Sequence, residues 1–576
     1  MIKGDSTVSQ TIQGVGAAPG INLGTAVWWR KEQPTVTVKT VADTQAETAK
    51  LKQAIDQTKE QINTLRQTAA ERMGEEEAQV FDAHLAFLDD PGFTGEMENR
   101  INSQKKNAEA ICQEVTEEMS ALMASLDDEY MQARADDIRD VGSRLLLNLL
   151  GKKPFDPSQL KAGDVVVAEE LTPSDTAQFP EGIAGMVTAK GSKTAHAAIM
   201  ARTLGIPAVL GLGAWINNIQ DDDKLIVNGD KGTIILNPSE AEEQEARQLI
   251  AAQKEAREAA LKEAAADAYT ADGKRIQTFA NIGSLNDIEL AVKNHAEGVG
   301  LFRTEFLYLE SDHWPTEEEQ YQAYAKVLSA FNGRPVVIRT LDIGGDKDLP
   351  YADLPKEENP FLGHRAIRYC LANPDVFKTQ LKALLRASVH GNLWIMFPMI
   401  ENLSEIRAAK ALLEECRQEL TGAGTEVADD IKVGIMIEVP AAAVTADLLA
   451  KEVDFMSIGT NDLTQYTLAA DRGNEQVAHL YDAAHPAVLR LVKMTCDAAD
   501  KAGILVGMCG ELAGDVTMTE ILVGLGLHEL SMSASAIPEV KQRVRLIDSA
   551  KAKALADKAL QLEDGDQVRA LIRSQQ

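Results

Sequence analysis

Apolar positions change their spacing several times along the chain. Up to about Lys31 they occur in short runs between turns, around Gly14-Val-Gly-Ala-Ala-Pro-Gly20 and Thr25-Ala-Val-Trp-Trp29, which predicts short strands. From about Asp43 to Leu150 the spacing is helical, as at Leu51, Ile55, Ile62 and Leu65, in a background of Ala, Glu, Gln, Lys and Leu. Breaks at Gly74, Pro91-Gly92 and Asp127-Asp128 divide this stretch into four or so helices packed as hairpins. From about Pro154 to Asn237 short apolar runs return, at Asp164–Ala168, Gly185–Thr188, Ala208–Leu210 and Lys224–Val227. Pro238 to about Ala266 then reads as one long exposed helix. Beyond it stand eight candidate strands: Ile276–Ile282, Gly298–Phe302, Val336–Thr340, Leu393–Met399, Val433–Glu438, Phe455–Gly459, Leu505–Met508 and Glu529–Met532. Helical stretches such as Thr316–Ala330 separate most of them, and Thr316-Glu-Glu-Glu319 is a capping-box signal.

The opening segment is too short to fold alone. It is expected to complete the later α/β region, with the helical stretch inserted between. The fold class is therefore multidomain α/β, with residues 1–34 and 152–238 as one α/β domain and 35–151 as a helical insertion. A linker helix over 239–268 would join these to a C-terminal (β/α)8 barrel over 269–576. An open doubly wound sheet is the alternative to the barrel, but no GxGxxG opens it. Hinges are expected near Pro238 and near Asp272-Gly273, and Asp5–Gln10 reads as an unpatterned extension.

At 576 residues, with 45% hydrophobic and 25% charged residues, the composition is that of an ordinary soluble globular protein. A net charge of −30 argues against broad nucleic-acid binding. The five cysteines are scattered without a CxxC pair, which supports neither a zinc site nor a disulfide framework. No signal core opens the chain and no run reaches membrane-span length, so a cytoplasmic location without membrane insertion is expected.

Two groups of residues carry candidate chemistry. In Lys190-Gly-Ser-Lys-Thr-Ala-His196 the histidine follows a small loop and begins an apolar helical run with Met200 and Arg202. An imidazole there is either a nucleophile whose bound anion is stabilised by the helix start, or a helix-start histidine satisfied locally. In the barrel region the polar residues follow the strands, where such barrels build their sites. They are Arg303-Thr-Glu305, Arg339 with Asp342, Glu438, Asn461-Asp462 with Arg472, and Cys509 with Glu511. Glu438 and Asp462 are hard oxygen ligands suited to Mg²⁺, while Arg303, Arg339 and Arg472 suit phosphate and carboxylate. Cys509 alone reads as a buried filler.

Gly191-Ser-Lys-Thr-Ala-His196, Gly298-Val-Gly-Leu-Phe-Arg303-Thr-Glu-Phe, Thr340-Leu-Asp-Ile-Gly-Gly-Asp-Lys347, Glu357-Glu-Asn-Pro-Phe-Leu-Gly363, Gly459-Thr-Asn-Asp-Leu-Thr-Gln465 and Gly507-Met-Cys-Gly-Glu511 occur in that order. Together they resemble the phosphoenolpyruvate–protein phosphotransferases, Enzyme I of the bacterial sugar phosphotransferase system, over nearly the whole chain. The resemblance implies that His196 is phosphorylated on Nε2 and that Arg303, Arg339, Asn461, Asp462 and Arg472 bind phosphoenolpyruvate. It implies Mg²⁺ held by Glu438 and Asp462, and Cys509 as the acid that protonates the enolate to pyruvate, reversing the filler reading. Thr176, Lys193, Thr194 and Arg202 would surround the phosphohistidine. The helical insertion would dock the carrier protein HPr, with Glu75, Glu76 and His84 in the matching stretch. A homodimer through the barrel domain is also implied. The histidine loop departs from the usual Gly-Gly-Arg-Thr-Ser-His at Ser192, Lys193 and Ala195, and His364 is given no role. Dikinases and phosphoenolpyruvate synthases share the histidine and barrel modules but need a nucleotide-binding domain, for which there is no Walker-type loop. A nitrogen-linked relative would carry an extra sensor domain. A degenerate docking protein would be expected to lack one of the site residues, and all are present.

Overall fold

The computed structural model describes residues 9–30, 36–72, 75–124, 129–152, 157–191, 196–309, 311, 313–344, 349, 351–352, 357–472, 474 and 477–575. The chain forms two compact units, Met1–Lys254 and Glu255–Gln576.

The first unit contains an eight-stranded sheet. Its strands are β1 (Gln10–Gln13), β2 (Val15–Ala18), β3 (Ile21–Trp28), β4 (Asp164–Ala168), β5 (Gly185–Thr188), β6 (Ala208–Leu210), β7 (Lys224–Asn228) and β8 (Thr233–Leu236). The order is β1-β8-β7-β3-β4-β5-β6-β2. β3, β4, β5 and β6 run parallel to their neighbours in this series. Alternation sends Val166, Ala168 and Met186 to one face, against Ala197, Ala198 and Ala201 of helix His196–Leu204. Val165, Val167 and Val187 line the other face with Leu225 and Val227. Gln10, expected in an unpatterned extension, instead begins β1 opposite Leu236, because Gln10–Gln13 completes the edge that β8 would otherwise leave open.

Between β3 and β4 lie helices Thr44–Arg72, Glu75–Asp89, Glu96–Gln104, Ala108–Ala124 and Glu129–Leu149. They bury Leu51, Ile62, Phe81, Phe93, Ile111 and Leu145 in one core, which Ala177 from beyond β4 joins. Gly74 and Asp127-Asp128, two of the expected breaks, lie outside the described residues. Asp90 caps the turn at Pro91–Gly95 by accepting from the Gly92 amide.

The second unit is a closed barrel of eight parallel strands. These are β9 (Gln277–Ile282), β10 (Val299–Phe302), β11 (Pro335–Arg339), β12 (Asn392–Phe397), β13 (Lys432–Ile437), β14 (Phe455–Ile458), β15 (Leu505–Met508) and β16 (Glu529–Ser533). β16 closes on β9 with Glu529 opposite Gln277. The strands read as near-continuous apolar runs because helices cover the outer face. Thr316 and Glu319 form the expected capping box.

Helix Glu240–Glu263 is mostly exposed and buries Ala246 and Ala260. The chain after it is fastened to the barrel unit by Lys541, 1% exposed, whose Nζ donates to the carbonyls of Ala264 (2.8 Å) and His295 (3.0 Å). Arg545 donates to the Ala266 carbonyl at 2.7 Å. Asp272 accepts from the Ser549 amide and hydroxyl. Asp272-Gly273, expected as a hinge, is thus tied to the helix that begins at Ser549. Among the described residues no helix is long and apolar enough to cross a membrane.

Candidate active site

The barrel gathers its strand-end charges into a buried network. Arg339, at the end of β11, donates from Nη2 to Glu305 (2.9 Å) and pairs through Nη1 with Asp342 at 3.0 Å. Burial works against this guanidinium charge, but Glu305 and Asp342 outweigh it. Arg365 binds both carboxylate oxygens of Asp342 at 3.0 Å and reaches Asp462 at 3.3 Å. Its Nη1 donates to the Tyr466 hydroxyl (3.1 Å), which in turn donates to the Phe361 carbonyl. Such a cluster exists only because every charge has a counter-charge; one removed partner would strand the others.

Glu438 follows β13 and is 1% exposed. Burial, then the nearby Asp462 and Asp342 carboxylates, push its pKa up to about 8, with Arg339 and Arg365 pulling the other way. Its Oε1 accepts from the Met399 amide at 2.6 Å. Met399 holds that amide in place with a left-handed φ of 54°, a conformation a non-glycine residue adopts at a cost. Asp462 lies in helix Thr460–Leu468, and its buried Oδ1 has no hydrogen-bond partner among the described residues. Arg472 approaches that oxygen at 3.7 Å. Two carboxylates crowded together, one with an oxygen left open, are the donor set a divalent cation satisfies. Among the described residues no three metal-ligating side chains converge.

Around this network, Arg303 is exposed and Arg472 is half-buried. The Asn461 Oδ1 accepts from the Glu511 amide at 3.1 Å, which ties the β14 and β15 loops together. Cys509 is buried at the end of β15, and its amide donates to Ile458. Burial pushes its thiol up to about 12, so it is held protonated.

In the first unit His196 is the first residue of helix His196–Leu204. Its side chain, Lys193 and Thr194 lie outside the described residues. Thr176 is buried beside Asp175, which accepts from Trp29 Nε1 at 2.9 Å. Arg202 donates to the Ala17 carbonyl at 2.8 Å. Glu75 and Glu76 open helix Glu75–Asp89, but their side chains lie outside the described residues. His84 is buried, 3.4 Å from Asp137 and edge-on to Phe81. The spacing Phe81, His84, Leu88 puts it on the core face.

The profile of the PEP-binding domain of PEP-utilising enzymes matches residues 256–549. Those of the N-terminal and mobile domains match 13–134 and 160–232. A phosphoenolpyruvate-protein phosphotransferase of Enterococcus faecalis is 48% identical over 96% of this chain and 97% of its own. Those of Listeria monocytogenes and Geobacillus stearothermophilus are 46% and 47% identical over 98% and 99% of this chain and 99% of theirs. The chain belongs to the phosphoenolpyruvate–protein phosphotransferase family. It is thus an enzyme of the phosphotransferase class, with the family's α/β, helical and barrel parts. Arg365 and Glu305 are site residues that sequence reasoning left without a role. Arg365 stands in Gly363-His364-Arg365, right after one of the quoted motifs, and that position was the available signal.

Proposed function

We propose that the chain transfers the phosphoryl group of phosphoenolpyruvate to His196 and then to a histidine of the carrier HPr, releasing pyruvate as the first general step of sugar uptake. The observation that carries this reading is the open Asp462 Oδ1 beside buried Glu438, set among Arg339, Arg365 and the protonated thiol of Cys509. Residues 1–34 and 152–238 would form the phosphohistidine domain and 35–151 the carrier-docking insertion. Helix 239–268 would link them to the substrate barrel, 269–576, which would also carry the dimer contact. A cytoplasmic homodimer is part of this reading.

Arg303, Arg339 and Arg472 would hold the phosphate and carboxylate of the substrate, with Asn461 and Asp462 beside them. Glu438 and Asp462 would hold Mg²⁺, whose charge offsets that of the phosphoryl and enolate oxygens. Neutral His196 attacks phosphorus in line, and the bond to the enolate oxygen breaks. Cys509 then gives its Sγ proton to the enolate methylene, forming pyruvate. The buried arginine–carboxylate network would fix Arg339 and Asp462 before the substrate arrives. Thr176, Lys193, Thr194 and Arg202 would steady the phosphoimidazole.

Labelled phosphoenolpyruvate with Mg²⁺ is expected to give an acid-labile, base-stable label that chases to HPr. The label should be absent from His196→Ala. A requirement for ATP, or label retained in that variant, would overturn the reading.

A further inference from the structure

The barrel interior holds a carboxyl group that this reaction does not use. Glu529, the first residue of β16, is 3% exposed, and its Oε1 has no hydrogen-bond partner among the described residues. Two glycines make room for it. A Cβ on Gly507 would fall 1.7 Å from Oε2, and one on Gly300 would fall 2.8 Å from Oε1. Gly507 is also its partner across β15 and β16. Cys509 lies two residues further along from Gly507. An alternating strand points both to the same side, about 7 Å apart. Asn281 closes the corner between them, donating to the Cys509 carbonyl at 2.9 Å and accepting from the Ser531 hydroxyl at 2.7 Å. The carboxyl group therefore sits beneath the thiol, on the side away from the barrel mouth.

A purely space-filling role does not account for this group. An apolar side chain of similar volume would fill the space between the glycines without stranding an oxygen. We propose that Glu529 is the proton store for Cys509, which rests on Cys509 being the acid of the reaction. Burial keeps the Glu529 carboxyl protonated far above the usual carboxylate range. The same environment disfavours a lasting thiolate on Cys509.

The cycle balances. The S–H bond of Cys509 breaks, a C–H bond forms on the enolate, and the electron pair stays on sulfur. The carboxyl O–H of Glu529 then breaks, the S–H bond re-forms, and a carboxylate remains. Water returns a proton to that carboxylate before the next turnover. One solvent proton thus enters each pyruvate methyl group, and nothing is oxidised or reduced.

The test compares Glu529→Gln and Glu529→Asp with the parent enzyme, using phosphoenolpyruvate, Mg²⁺ and HPr. In Glu529→Gln the first-turnover burst of pyruvate should be unchanged, while steady-state release falls about tenfold or more. Glu529→Asp should recover most of that loss. An unchanged steady state in Glu529→Gln overturns the proposal, as does an equal loss in both variants, which would mark Glu529 as packing. A measurement on the parent enzyme needs no variant. Enzyme equilibrated in H2O is mixed with substrate in D2O, and the second-turnover pyruvate should still carry excess protium. Full deuteration at that turnover overturns the store. Cys509→Ala that releases pyruvate normally would instead overturn the assignment of the acid, whatever Glu529 does.

Discussion

At the scale of single residues, Arg365 shows what holds the barrel mouth together. It is the counter-charge for Asp342 and Asp462 at once. Arg365→Met leaves both carboxylates buried with less compensation and should cost about 3–5 kcal/mol, measured by chemical denaturation of the metal-free protein. The same variant should lower the affinity for phosphoenolpyruvate, because Arg339 and Asp462 lose their fixed positions. Cys509→Ala makes a sharper separation. Pyruvate release should fall about 10²–10⁴-fold while the barrel's melting temperature changes little. Legibility in the sequence follows from how local each signal is. Glu438 and Cys509 could be singled out because each directly follows an apolar strand, and Asp462 because it lies in the first turn of the helix after one. Arg365 and Glu529 could not, since their meaning lies in partners far off in the chain: Asp462 for the one, Gly300 for the other. The burial of His84 was legible too, in its spacing from Phe81 and Leu88.

At the scale of elements, the last helix of the barrel unit, Gly565–Arg573, is pinned by one ion pair. Arg569 donates to the two oxygens of Asp482 at 2.9 and 2.8 Å. Burial raises the Asp482 pKa, but the hydrogen bonds from Arg569 and the Ala484 amide win and hold it below the usual range. Its folded value is thus below its unfolded one, so its contribution is present at neutral pH and is lost as pH falls through the folded value. Asp482→Asn should cost about 1 kcal/mol at pH 7, given the partial exposure of the pair. The gap from the parent should close below about pH 4, as seen in urea titrations across pH. Lys541 does the corresponding work at the other end of the unit. Lys541→Met removes the donor to Ala264 and His295, so amides in the stretch 264–276 should exchange faster than those of the barrel strands. The eight barrel strands were legible nearly to the residue, because a strand covered on both sides is apolar throughout. The contacts that hold Asp272-Gly273 were not legible. A Gly following Asp signals a turn, whereas the clamp that immobilises it comes from Lys541, Arg545 and Ser549, more than two hundred residues away in the chain.

At the scale of the whole molecule, the helices between β3 and β4 set a constraint on how the protein is made. β3 ends at Trp28, yet its parallel partner β4 begins at Asp164, and β1 pairs with β8, which ends at Leu236. The intervening helices pack mainly against one another, with Ala177 from beyond β4 joining their core. On the ribosome, at about 5–20 residues per second, the first strands therefore wait on the order of ten seconds with bare edges while the helices condense behind them. The nascent chain is most open to mispairing and to chaperone capture in that interval. Moving residues 9–30 to a position after residue 236 by circular permutation should shorten the wait and raise the soluble yield.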